Sequence, residues 1–258
     1  MPRIHQTFKK LKKDGKKAFI PYIMTGDPSL EKTKEVVRLF EECGADIVEL
    51  GVPFSDPLAD GPTIQRASER ALAQHVTLRT TISLVRELRT NTRVPIVIMT
   101  YFNPVFRYGT HDFISDAHDA GIDGVIIPDL PPDEAGDFTR HAKSSSLDTI
   151  FLLAPTSTDD RIKKVARASS GFIYYVSMTG ITGSVLHIDQ SMKILINKIK
   201  NLSGKPVAVG FGVSNPDEAS YISKLSDGVI VGSALVKKLK EAPHELRNFF
   251  MDLRKAIS

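Results

Sequence analysis

The sequence predicts an α/β fold: a single (β/α)₈ TIM barrel spanning residues 1–258, with an extra N-terminal helix and elongated loops after strands 2 and 6. Three observations lead there. Eight short β-branched runs alternate with longer amphipathic stretches, the run starts lie roughly 20 to 50 residues apart, and the runs are apolar on both faces, as parallel strands covered by helices must be. A length of 258 residues with 41% hydrophobic content fills one such barrel. Strand order is not readable from sequence, so a doubly wound sheet stays open as the alternative.

Taken in order, residues 1–17 hold seven Lys or Arg against Asp14, so a formal charge of +4 for the whole chain leaves −2 for the rest. Ile4, Phe8 and Leu11 recur there at helical spacing, which predicts an amphipathic helix with a solvated lysine face. No aromatic residues interleave those lysines, so a nucleic-acid surface is the weaker reading. The segment also lacks the apolar core of a cleaved signal, and no stretch approaches a membrane span, so a cytoplasmic protein is expected. Cys43, in EECGAD, sits where a helix should end and reads as buried packing.

The strand runs are AFIPYIM from Ala18, DIVEL from Asp46, VPIVIMT from Val94, GVIIP from Gly124, TIFLLA from Thr149, FIYYV from Phe172, PVAVG from Pro206 and GVIVG from Gly228. Phrases such as ECGADIVEL and DAGIDGVIIP repeat one joint: helix end, small turn, strand. After the second run come a loop and two helices, near 63–73 and 78–89; after the sixth comes SMTGITGSVLHID. Because barrel active sites lie at the C-terminal ends of strands, these long segments are candidate lids and substrate loops.

Alternation puts Ile47 and Glu49 on one covered face, so Glu49 is expected to be buried. No lysine or arginine stands at a predicted strand end to pair with it. A buried carboxyl without a cation takes up a proton near neutrality, which suits general acid/base work; a glutamate bonded to backbone at a strand end is the structural alternative. The following loop stiffens Asp56 and Asp60 between Pro53, Pro57 and Pro62. A Mg²⁺ site on these carboxylates is a weaker reading, since no further oxygen ligands cluster elsewhere, and the histidines are scattered. Lys16, Lys17 and Lys205 precede their strands, at the wrong end for a Schiff base. Gly210, Gly212, Gly232 and Ser233 open the seventh and eighth βα loops, a corner that often binds phosphate through backbone N–H groups. Gly180 to Gly183 reads as a lid. Cofactor-free acid/base chemistry on a phosphorylated small molecule is what these residues leave, with no metal site.

LGVPFSDPLADGPTIQ at residues 50–65, following Glu49, together with PYIMTGDP, GVIIPDLP, GITG, GFGVS and VGSA, resembles the tryptophan synthase α subunit family from end to end. The resemblance implies cleavage of indole-3-glycerol phosphate to indole and glyceraldehyde 3-phosphate, without a cofactor in this chain. It also implies an αββα assembly with a β subunit that carries pyridoxal phosphate and receives indole through a tunnel. On that resemblance Glu49 would transfer the protons and Asp60 would stabilise the indole N–H. Tyr22, Met99, Ile126, Tyr174, Thr182 and Phe211 would contact substrate, with Tyr22 standing where the family has phenylalanine. Gly183, Phe211, Gly212, Gly232 and Ser233 would hold the phosphate. Pro53, Asp56, Asn103, Pro104, Phe106, Asp129 and Pro131 would face the partner.

Overall fold

A computed structural model describes residues 2–176, 190–210 and 212–257. Nine parallel strands form one sheet: β1 (Ala18–Met24), β2 (Val48–Gly51), β3 (Ile96–Met99), β4 (Gly124–Ile126), β5 (Asp148–Ile150), β6 (Leu152–Leu153), β7 (Ile173–Val176), β8 (Val207–Gly210) and β9 (Gly228–Val231). Their order is β5-β4-β3-β2-β1-β9-β8-β7-β6. The run read as one fifth strand is divided at Phe151: β5 pairs with β4 and β6 pairs with β7, so the covalent chain itself joins the two ends of the sheet. Eight sequence runs thus make nine strands in a nearly closed barrel.

Side-chain alternation sorts the core into two layers. Ile20, Tyr22, Ile47, Val97, Ile126, Phe172, Tyr174 and Ala208 pack inside the barrel, whereas Val48, Leu50, Ile98, Val125, Tyr175 and Val209 pack outward among the helices. Both faces of each strand are therefore dry, which is why the runs are apolar throughout. Helices begin where the sequence supplies a cap: the Ser29 side chain accepts from Lys32 N–H, Thr77 and Thr80 form a reciprocal capping box, and Asn215 accepts from Glu218 N–H.

The N-terminal helix, Arg3–Lys13, buries Ile4, Phe8 and Leu11 in the inner cluster. It covers the end of the barrel where the strands begin, with the Phe8 and Phe172 rings 5.7 Å apart. Arg3 fastens it there: its Nε donates to Asp123 Oδ1 at 2.6 Å, and Arg89 Nη2 donates to Asp123 Oδ2 at 2.7 Å. Burial pushes the Arg89 guanidinium down to about 10, yet it stays charged beside Asp123. Cys43 caps the helix Leu30–Glu42 and is buried. Among the described residues, no helix is long and apolar enough to cross a membrane.

Candidate active site

Glu49 lies on β2 in the layer of Tyr22 and Val97, its in-register neighbours on β1 and β3. It is 1% exposed, and neither carboxyl oxygen has a hydrogen-bond partner among the described residues. Burial first, and the nearby Asp60 charge second, push it up to about 8. At neutral pH Glu49 is therefore mostly protonated.

Asp60 reaches the same pocket from the loop after β2. The loop is tied from several sides: Asp60 N–H donates to the Pro57 carbonyl, and Gln65 Nε2 donates to the Asp60 carbonyl at 2.8 Å. The Ser68 hydroxyl also accepts from Phe54 N–H and donates to the Phe54 carbonyl. Pro62 then starts the helix Pro62–Leu72 directly behind Gly61. That helix is clamped to the loop after β1 by Arg70, whose guanidinium forms a two-point pair with buried Asp27 at 2.7 Å.

Asp60 is also buried, 6% exposed, and burial pushes it up to about 6, a rise limited by a hydrogen bond from Tyr101. Tyr101 thus separates the two carboxyls. Its hydroxyl accepts from Ala59 N–H at 3.0 Å while serving Asp60, and burial beside that carboxylate raises the phenol above its ordinary value. The sequence carries one signal for it, a tyrosine just past the end of the third run.

The pocket around both carboxyls is lined by Tyr22, Ile64, Met99, Tyr174, Val213 and Ile230, with Gly212, Gly232 and Ser233 at one corner. Ile64, Val213 and Ile230 were not anticipated. Ile126 is buried in the inner layer and does not line the pocket. Tyr174 points inward, whereas its neighbour Tyr175 belongs to the outer layer. Glycine makes room for the two pocket tyrosines: a Cβ on Gly51 would lie 2.0 Å from the Tyr22 hydroxyl, and one on Gly210 would lie 2.3 Å from that of Tyr174. Desolvation, then the charges of Asp60 and Glu49, raises the Tyr22 phenol well above its ordinary value.

At the corner, Gly212 has a φ of +83°, and Gly232 precedes the helix Ser233–Glu241, whose first-turn N–H groups open toward the pocket end of the barrel. Thr182, Gly183 and Phe211 lie outside the described residues. The residues assigned to a partner divide. Asp56, Asn103, Phe106 and Asp129 are exposed, Pro104 and Pro131 half-buried. Pro53 is buried within the chain. Phe106 is 68% exposed, and Leu58, 88% exposed, stands among them unanticipated.

These features define a (β/α)₈-barrel protein with two carboxyls of unlike acidity at the C-terminal mouth, beside an anion-ready helix start. The family model described as tryptophan synthase alpha chain matches residues 8–257. The tryptophan synthase alpha chain of Geotalea daltonii is 51% identical over 93% of this chain and 91% of its own length. That of Geobacter sulfurreducens is 49% identical over 100% and 99%. A structure of Mycobacterium tuberculosis tryptophan synthase superposes with a TM-score of 0.93 at 40% identity, covering 99% of this chain and 98% of that one. The chain belongs to the tryptophan synthase alpha chain family.

Proposed function

We propose that this chain cleaves indole-3-glycerol phosphate to indole and glyceraldehyde 3-phosphate, as the α subunit of tryptophan synthase in the last steps of L-tryptophan biosynthesis. The observation that carries this reading is the pair Glu49 and Asp60, facing one pocket with acidities near 8 and 6. Between those values one carboxyl holds a proton and the other does not, which is the division of labour a retro-aldol cleavage needs.

Carbon–carbon cleavage needs an electron sink, and an indole ring becomes one when its C3 is protonated. Glu49 delivers that proton, leaving a carboxylate that takes the proton of the side-chain hydroxyl as the C–C bond breaks. The bonding pair returns to the ring, the former carbinol carbon becomes the aldehyde, and Glu49 ends protonated as it began. Asp60, ionised and held by Tyr101, accepts the indole N–H and stabilises the positive charge that develops there. Tyr22, Met99 and Tyr174 wall the ring, with Ile126 beneath them. Gly212, Gly232 and Ser233 take the phosphate on N–H groups and a hydroxyl, joined by Gly183 and Phe211, while Thr182 meets the carboxyls on closure.

On this reading residues 1–258 act as one cytoplasmic barrel domain with no cofactor of its own. Pyridoxal phosphate belongs to the β subunit in an αββα assembly, and Asp56, Asn103, Pro104, Phe106, Asp129 and Pro131 face that partner. Exposed Leu58 and Phe106 support such a contact on the mouth side of the barrel. The test is indole and glyceraldehyde 3-phosphate release by the chain alone and with β subunit. Glu49→Gln is expected to abolish release while the fold persists, and turnover by that variant at the parent rate would remove Glu49 from the mechanism.

A further inference from the structure

At the opposite end of the barrel lies a second, larger cavity of about 580 Å³, within the range of small-molecule sites. Six lysines line it: Lys9 and Lys12 from the N-terminal helix, Lys16 and Lys17 from the turn after it, Lys200 near the end of the helix Gln190–Ser203, and Lys205 before β8. His5 adds a seventh potential cation. The lining holds one carboxylate, Asp227, and it is already engaged: Oδ1 takes Lys200 at 3.0 Å and Oδ2 accepts from Val207 N–H.

Lys9, Lys12, Lys16 and Lys17 make no ion pair among the described residues. Half-buried Lys205 donates to the Ser169 carbonyl, and burial lowers its pKa, with buried Asp148 behind the wall opposing that shift. The rim is opened by glycine. Gly15, Gly171 and Gly204 all line the cavity with positive φ, and a Cβ on Gly15 or Gly204 would meet nothing within 4 Å. Lysines that make no ion pair among the described residues thus reach this concave space from three elements: the N-terminal helix, the turn after it and the segment before β8.

We propose that this cleft is a binding site for a small anion carrying two or more phosphate groups. Lysine ammonium groups act as point charges toward phosphate, and their spread around the cavity suits a ligand with several charges rather than one. A nucleic-acid strand fits less well, because the one aromatic residue in the lining, Phe8, is buried against Phe172 and offers no stacking platform.

The test is calorimetric titration of the full chain with inorganic tripolyphosphate. One ion should bind per chain, more weakly as ionic strength rises. Lys9→Gln/Lys12→Gln/Lys16→Gln should weaken binding by about tenfold or more while indole release stays at the parent rate. Lys10→Gln/Lys13→Gln/Lys193→Gln, which removes the same charge outside the cleft, should change it by less than about twofold. Equal loss in both triple variants would reduce the effect to net charge and overturn the site. So would absence of binding, competition by glyceraldehyde 3-phosphate, which would place the ion at the mouth, or single-stranded RNA binding with affinity that grows with strand length.

Discussion

Replacing Glu49 by glutamine should change how stability depends on pH, and the size of that change follows from its burial. In the folded chain Glu49 keeps its proton up to about 8, whereas an ordinary glutamate loses it near 4.5. The folded state therefore binds more protons than the unfolded one between those values, and stability falls as pH rises through that window. At about 1.4 kcal/mol per pH unit, the loss amounts to roughly 5 kcal/mol by pH 9. Asp60, raised from 3.8 to about 6, contributes a loss of the same sign at lower pH in both proteins, so subtracting the two curves isolates Glu49. A buried amide without partners adds a pH-independent offset of about 1–3 kcal/mol, which leaves the slope untouched. The assay is urea unfolding of parent and Glu49→Gln at intervals from pH 4.5 to 9. Parallel curves would refute the claim that Glu49 is held neutral, and with it the source of the transferred proton.

Tyr101→Phe removes the hydroxyl that holds Asp60 down and receives Ala59 N–H. The acid limb of the pH–rate profile should move up from about 6, with a stability loss of about 1 kcal/mol measured by urea. Gly51→Ala places a methyl group against the Tyr22 hydroxyl. Thermal unfolding should show a cost of about 1–3 kcal/mol, with turnover reduced in parallel, because the tyrosine must move into the pocket. Asp123→Ala leaves the half-buried Arg89 without its carboxylate partner and strips the bond to Ile96 N–H. A loss of about 3–5 kcal/mol is expected, and a fully stable variant would show that the pair at the base of the barrel is dispensable.

How far the sequence could be read depended on whether a feature was set by local pattern or by distant contact. The strand runs were legible because parallel strands are dry on both faces, and burial of Glu49 followed from alternation with Ile47. The break at Phe151 was invisible: TIFLLA reads as one run, and only pairing to different neighbours on its two sides divides it. Tyr101 escaped because its role needs the loop after β2 laid over the end of β3. That juxtaposition is between segments about 40 residues apart and has no local signature. The burial of Pro53 has no local signature either: the tether of Phe54 to Ser68 draws this stretch against the helix Pro62–Leu72. The inward turn of Tyr174 is fixed by the alternation of β7, but choosing it over Tyr175 required the register with β8, in which Tyr174 sits beside Ala208.

The pairing of β1 with β9 sets a timetable for the nascent chain. Ala18 to Pro21 align with Gly228 to Val231, so the first strand made acquires its second neighbour only after more than four-fifths of the polypeptide has been translated. At ~5–20 residues per second, that wait lasts roughly 10 to 40 s. Throughout it, AFIPYIM, buried at every position in the finished barrel, presents one unpaired edge on the ribosome. Slow decoding between β1 and β9 lengthens that exposure, which makes the yield of native chain sensitive to elongation speed as well as to the final stability of the fold.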